Sequence, residues 1–295
     1  MIFEFMKQHS AEFPVEKMAQ VFKVSRAGYY KHISSTETVT SQYNSQLLDK
    51  IKLIFKNNRG VYGSPRVYEV LKKLGEKCSR KRVAKIMKNS GIRAKSVKKR
   101  FKVYDKACKD LARIAPNIIN QNFVAQGPNE KWVSDITYIQ THEGWLYVAA
   151  VMDLFSRKIV GLGMSDCIDT KLIVSAFDQA ICHRAPQSKF VLHSDRGSQY
   201  TSLAYKQVAT NNKALLSMSA KGYCYDNAAM ESFFHTLKTE HVYLCNYQTR
   251  KEATLSIFEY IEIFYNRQRM HSTLGYLSPV EFEQQVVGGA KNNGE

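Results

Sequence analysis

No stretch of this 295-residue sequence approaches 18 consecutive apolar residues, so no transmembrane helix is expected. The N-terminal MIFEFMKQHSAEF is interrupted by Glu4 and Lys7 and lacks the apolar stretch of a secretory signal. The six cysteines, at 78, 108, 167, 182, 224 and 245, include no Cys-x-x-Cys and no paired histidine spacing. That argues against a zinc site or a disulfide framework and for reduced, mostly structural thiols. Internal repeats and low-complexity tracts are also missing. With 44% hydrophobic residues the chain can bury a proper core, which excludes a disordered protein. The length suggests two or three domains, and the expected location is the cytoplasm.

Acid is scarce in one region only. Between Lys50 and Arg113 there are 22 Lys and Arg against 4 Asp and Glu, while residues 1–49 and 114–295 are nearly balanced. The net charge of +17 therefore belongs to a single segment. A solvated helical face usually mixes signs, so this imbalance points to a nucleic-acid footprint.

Within PVEKMAQVFKVSRAGYYKH (14–32), Val15, Met18, Ala19 and Phe22 fall at helical spacing. Ser25 then caps a second helix starting at Arg26, which reads as helix-turn-helix or a plain helical hairpin. Leu47, Leu48, Ile51, Ile54 and Phe55 predict an amphipathic helix. Ser64-Pro65 supplies an N-cap and first-turn proline for a helix stopping at Gly75, and Ser79 caps another reaching Gly91. That last helix has an inner stripe of Val83, Ile86 and Met87. Its outer face carries Arg80, Lys81, Arg82, Lys85 and Lys88 with no acid among them, as expected of a helix neutralised by DNA phosphates. The basic stretch 95–113, with Phe101, Val103 and Tyr104 interleaved, reads as a linker lying along DNA.

From Pro128 strands alternate with helices. Lys131–Gln140, Trp145–Phe155 and Lys158–Met164 predict an antiparallel meander. A helix capped by Asp169 or Thr170, a strand over Phe190–Ser194, a helix over Thr201–Asn211 and a strand over Ala214–Ser219 follow. Asp226-Asn227 is expected to cap the next helix, and Thr249-x-x-Glu252 and Ser278-Pro279-Val280-Glu281 open two more. This order is that of an α/β, RNase H-like domain with a mixed five-stranded sheet and flanking helices, preceded by all-α helix-turn-helix units.

Three carboxylates fall where such a domain could gather them: Asp135 within the first strand, Asp195 at the end of the fourth, and Glu231 about one turn into the following helix. Aspartate is disfavoured inside a strand, and adjacent acids repel unless a cation intervenes. Mg²⁺ or Mn²⁺ takes such oxygens together with water and phosphate, and two ions can serve an in-line displacement. Taken singly, Asp135 could be a strand-end cap, Asp195 a turn former and Glu231 a surface acid. Lys238, seven residues past Glu231, lies on the same helical face and would meet a DNA backbone. Asp153 is read as structural, pairing with the turn at Ser156-Arg157. His193 and His271 have no metal-ligand partners at useful spacing.

The segments WVSDITYI, MDLFSRKIVG, LHSDRGSQYTS, SMSAKGYCYDNAAMESFFHTLKTE and YNRQRMHSTLGYLSPVEF together resemble the integrase-core transposases of bacterial insertion sequences. In particular, they resemble the second-reading-frame protein of the IS-three family, over nearly the whole chain. The resemblance implies an Asp-Asp-Glu triad of Asp135, Asp195 and Glu231, with Lys238 as the DNA-contacting lysine of the signature. It implies Mg²⁺-dependent cleavage freeing a 3′-hydroxyl, then attack of that hydroxyl on another phosphodiester, with no covalent enzyme intermediate. The implied partners are terminal inverted repeats and target DNA, a homo-oligomer on DNA, and an upstream-frame protein joined by frameshifting. The zinc-binding His/Cys domain of retroviral integrases is missing, and no sustained heptads are found. The expected organisation is a helix-turn-helix segment (1–45), a basic helix-turn-helix domain (46–96), a basic linker (97–127), the integrase catalytic core with C-terminal helices (128–287) and a disordered tail (288–295). A nucleoid-associated transposase is thus expected. The alternatives are a hydrolytic RNase H-like nuclease and a catalytically silent DNA-binding regulator.

Overall fold

The computed structural model describes residues 2–34, 39–95, 114–220 and 224–292. Residues 96–113, the first part of the expected basic linker with Phe101, Val103 and Tyr104, lie outside the described residues.

Three short helices come first: α1 (Ile2–Gln8), α2 (Val15–Val21) and α3 (Arg26–Ile33). Ser25 caps α3 as expected, its Oγ accepting from the Gly28 amide at 3.0 Å. Helix α1 has no counterpart in the sequence reading. It contributes Met6 to a small separate core with Met18, Ala19 and Tyr29.

Helices α4 (Val39–Asn57), α5 (Ser64–Lys73) and α6 (Arg80–Asn89) form the second unit. Leu47, Ile51 and Ile54 meet Val67 and Leu71 of α5 and Val83 and Met87 of α6, the stripes that helical periodicity picks out. Ser79 Oγ accepts from the Arg82 amide at 3.2 Å, so that cap is present. The Ser64 cap is not. Gly63, in extended conformation, precedes the first turn of α5, and no side chain bonds it. This unit continues into the C-terminal helices. The Tyr62 hydroxyl donates to the Gln268 carbonyl at 3.1 Å and accepts from the Met270 amide at 2.9 Å, while Arg59 pairs with Glu259.

The sheet holds β1 (Lys131–Thr141), β2 (Gly144–Asp153), β3 (Ile159–Ser165), β4 (Phe190–Ser194) and β5 (Ala214–Met218), in the order β3-β2-β1-β4-β5. The first three strands are antiparallel; β4 and β5 run parallel to β1 and to each other. This is the mixed five-stranded sheet expected from the element order. Alternation along the strands sends Trp132, Ala149 and Val151 to one face, against α7 (Thr170–Arg184) and α8 (Leu203–Asn211). Val133, Val148, Ala150 and Met152 go to the other, against α9 (Ala228–Glu240) and the helices after it. Helix α7 packs on bare backbone of β3: a Cβ at Gly161 would lie 2.0 Å from the Ala176 carbonyl oxygen. Only glycine admits that approach.

Asp169 and Ser202 cap α7 and α8. Helix α10 (Arg250–Glu259) opens with the expected capping box: Thr249 accepts from the Glu252 amide at 3.0 Å and Glu252 from the Gln248 amide at 2.7 Å. It runs on into a π-helical turn over Tyr260–Tyr265. Helix α11 (Pro279–Asn292) carries its Ser278/Glu281 box and continues to Asn292, into the stretch expected as a disordered tail. No described helix is long and apolar enough to cross a membrane.

Two acids differ from their sequence assignments. Asp226 caps no helix. It accepts from Asn117 at 3.0 Å, Gln121 at 3.2 Å and the Ala220 amide at 2.7 Å, clamping the latter part of the expected linker to the end of β5. Asp153 is structural, but its charge partner is Arg184 at 2.6 Å, with the turn supplying only the Phe155 amide. Among the described cysteines 78, 167, 182 and 245 are free, and the last three are exposed rather than structural.

Candidate active site

Strands β1 and β4 pair in parallel with Val133 opposite His193. Two residues further along each chain come Asp135, still within β1, and Asp195, just past the end of β4, close enough for their charges to interact. His193 anchors this register from inside the sheet, its Nδ1 2.8 Å from Ser217 Oγ and its Nε2 3.2 Å from Ser219 Oγ. Burial pushes it down to about 4, so it remains a neutral structural histidine.

Asp135 Oδ1 accepts from the Ile136 amide at 2.8 Å, and Asp195 Oδ1 from the Gly197 amide at 2.9 Å. The second oxygen of each makes no hydrogen bond with a described residue. Burial raises the Asp135 carboxyl well above the usual carboxylate range, and the charge of Asp195 pushes it further. Glu231 adds to the rise; the Ile136 amide and Lys238 oppose it. Asp195 is raised as well by the surrounding protein, although it stands at the solvent-facing rim.

Helix α9 delivers the other two side chains. Asn227, just before it, donates to the Ser134 carbonyl at 3.4 Å and so fixes the helix start beside Asp135. Glu231 is exposed in the first turn, its carboxyl raised by partial burial. Lys238, two turns on, is only 7% exposed, and its Nζ lies 4.9 Å from the Tyr138 ring centroid. Burial lowers its affinity for the proton, and Asp135 offsets only part of that loss. Sequence reasoning missed Asn227 in this role, and also buried Tyr200, whose hydroxyl is 2.9 Å from Ser134 Oγ beneath the acids.

The donor set suits a hard divalent cation. Two neighbouring carboxylates hold free oxygens and repel each other, and a cation is what relieves that repulsion. Among the described residues no three His, Cys, Asp or Glu side chains stand close enough to hold one ion as they are. The preassembled part is therefore the Asp135–Asp195 pair, and Glu231 acts on Asp135 more weakly than Asp195 does.

On α6, Arg80, Lys81, Lys85 and Lys88 are exposed along one helix. Arg82 is not part of that row: it is half-buried, its guanidinium 5.3 Å from the Tyr43 ring centroid.

A meander followed by two parallel strands, with paired acids at their junction, defines an integrase-type polynucleotidyl transferase core. Matches to known families agree: an integrase core domain over residues 125–224, a second integrase core domain family over 231–287, and an HTH-like domain over 42–100. The chain is 46% identical over 238 residues to the transposase for insertion sequence element IS904 of Lactococcus lactis, covering 81% of this chain and 93% of that protein. It is 39% identical over 285 residues to transposase InsF for insertion sequence IS3A of Escherichia coli, covering 96% of this chain and 98% of that protein. The HTLV-2 integrase catalytic core domain in complex with magnesium overlays with a TM-score of 0.41 at 15% identity, over 54% of this chain and 99% of that one, too remote to bear on the assignment. The chain belongs to the IS-three family of insertion-sequence transposases.

Proposed function

We propose that this transposase grips the ends of its element through the basic helical unit and carries out strand cleavage and strand transfer at Asp135, Asp195 and Glu231. The observation that carries the assignment is the shared register of Asp135 and Asp195, which concentrates negative charge where β1 and β4 part. These three carboxylates would hold divalent cations, Mg²⁺ or Mn²⁺ and two in number, which when bound polarise the phosphodiester and activate the attacking oxygen.

The chain's own groups set the stage for that chemistry. Asp135 and Asp195 have to be ionised, and Lys238 helps to keep Asp135 so. Burial over Tyr138 gives the Lys238 ammonium a fixed place from which to steady the scissile strand. Arg80, Lys81, Lys85 and Lys88 supply exposed charge for phosphates, and base edges come within reach if α6 enters a major groove. Cleavage leaves a 3′-hydroxyl on the element; its oxygen then bonds to a target phosphorus while the target's own 3′-oxygen leaves. No protein nucleophile is needed. A homo-oligomer on DNA, and the upstream-frame protein, are the partners this reading calls for. The proposed units are the segment 1–45, the basic domain 46–96, the linker 97–127 and the core 128–287.

The test is purified protein, alone and with the upstream-frame product, incubated with labelled element ends and Mg²⁺. Joined donor–target products are expected, and Asp135→Asn should abolish them. Nicks without joining would mark a hydrolytic nuclease, and joining that survives Asp135→Asn would displace the active site.

A further inference from the structure

Helix α9 has a second working flank. Ser232 and Thr236 follow Glu231 by one and five positions, which at ~100° per residue turns them roughly 100–140° away from the carboxylate side. There they line a cleft of about 410 Å³ together with Arg66, Arg157, Arg269 and His271. Besides α9, its walls come from α5, from Phe123 ahead of β1, from the end of β2 with the β2–β3 turn, and from the π-helical turn with the segment after it.

The charges in this cleft do not cancel. Glu240 is the carboxylate that answers its arginines, accepting from Arg269 Nε and Nη2 at 2.7 Å each and lying 3.5 Å from Arg66. Arg157 has no carboxylate and no hydrogen-bond partner among the described residues, although it is half-buried and burial lowers its proton affinity. It occupies a left-handed position, φ 61°, where glycine is the usual occupant. His271 lies 3.4 Å from Arg269 Nη1. Burial and the three guanidiniums hold it neutral, so it can offer a hydrogen bond without adding charge. The Ser232, Thr236, Ser272 and Thr273 hydroxyls at the cleft donate to no described residue. Guanidinium forks with free hydroxyls around a concave space match the several acceptor oxygens of a phosphate.

We propose that this cleft is a phosphate-binding subsite that takes a backbone phosphodiester of the transposon DNA, with Arg157 as its principal contact. The inference rests on the transposase reading and adds a place to it. Arg66 belongs to the basic unit, and α9 carries Glu231 and Lys238 on its other side. A strand held here would couple end recognition to the position of the acids.

The experiment uses the full chain and fluorescein-labelled duplex carrying a terminal inverted repeat, with anisotropy followed against salt. Arg157→Ala should lower affinity several-fold and reduce the slope of log affinity against log salt by about one, with an unchanged melting midpoint. Thr273→Glu, an exposed substitution at the rim, should weaken binding in the same direction without disturbing the fold. If both variants bind with wild-type affinity and slope, the subsite is refuted. A parallel thermal-shift titration with inorganic phosphate separates the sources. Phosphate stabilisation lost in Arg157→Ala, alongside an unaltered DNA slope, would assign the cleft to a small free phosphate and overturn the backbone reading. The carboxylate assignment fails separately, through joining activity in Asp135→Asn, which leaves the DNA slope intact in either case.

Discussion

Asp135 within β1 and Asp195 just past the end of the parallel strand β4 are electrostatic neighbours, each two residues beyond the paired Val133 and His193. Neither has a full cationic partner within the protein, and each has one carboxylate oxygen without a hydrogen bond to a described residue. The fold therefore holds this charge at its own expense, as functional sites commonly do.

Asp135→Asn should accordingly stabilise the metal-free protein at neutral pH. The folded Asp135 carboxyl is raised above its unfolded value, so the folded state holds the proton more tightly. Stability is then lost as pH rises from the unfolded value through the folded one, and the penalty is complete above it. The variant's advantage should be present at pH 7–8 and vanish near ~pH 4. A gain on the order of 1 kcal/mol would appear as a rise of ~2–4 °C in melting midpoint. Mg²⁺ should stabilise the wild type more than the variant, and joining should fall by ~100-fold or more. Melting curves across pH that coincide for the two proteins would contradict the electrostatic account.

Lys238→Met should move the pH dependence of joining. Lys238 pulls the Asp135 carboxyl down, so its loss lets that carboxyl rise further. The acidic limb of the pH–rate profile should shift to higher pH, with a roughly tenfold loss at neutral pH, about 1.4 kcal/mol. Lys238→Arg should restore the limb. A uniform loss at every pH would leave Lys238 with a DNA contact alone.

The exposed row on α6 makes a different demand. Lys81→Ala and Lys85→Ala should each lower the salt slope of DNA binding by ~0.9. Arg82→Ala should alter the slope less and the melting midpoint more, because its guanidinium packs on Tyr43 rather than facing solvent. Anisotropy titrations at several salt concentrations decide the matter; equal slopes for all three variants would remove α6 as the reading surface or return Arg82 to it.

What the sequence makes legible is what depends on neighbours in the chain. The caps at Ser25, Ser79, Asp169 and Thr249 are local bonds across three residues, and all are present. Strict alternation from Trp132 to Ile139 reveals β1, and the order of strands places Asp135 beside Asp195. Ser64 fails as a cap because the extended residue falls one position earlier, at Gly63. Helix α1 has no clear stripe, and its support comes from burial of Met6 among residues of α2 and α3. Asp226 looks like a cap in the sequence, yet its Asn117 and Gln121 partners lie more than a hundred residues away. The arginine cleft is further from reach, since Arg66, Arg157 and Arg269 meet only once α5, the β2–β3 turn and the C-terminal segment are packed.

Arg184 offers the sharpest test of how that packing is held. Asp153 has no exposed side-chain surface, and Arg184 is 12% exposed. The Arg184 guanidinium also reaches Glu283 of α11 at 2.8 and 3.0 Å, so one side chain ties α7 to the end of β2 and to the C-terminal helix. Burial raises the Asp153 carboxyl; the Asn129 and Phe155 amides and Arg184 hold it down. Arg184→Met keeps much of the volume but leaves a buried carboxylate without its cation, a loss of ~3–5 kcal/mol at neutral pH. With Arg184 gone the folded Asp153 carboxyl rises further above its unfolded value. The destabilisation is therefore complete above that raised value and shrinks as pH falls through it towards the unfolded one. Glu283 keeps Ser156 and Lys158 as partners, so its share of the loss is smaller. The double variant Arg184→Met/Asp153→Asn should recover more than half of the lost stability in denaturant titrations at pH 7. A double variant no better than the single one would mean that Arg184 acts chiefly through Glu283 and α11, and that the Asp153 charge is already satisfied by its two backbone amides.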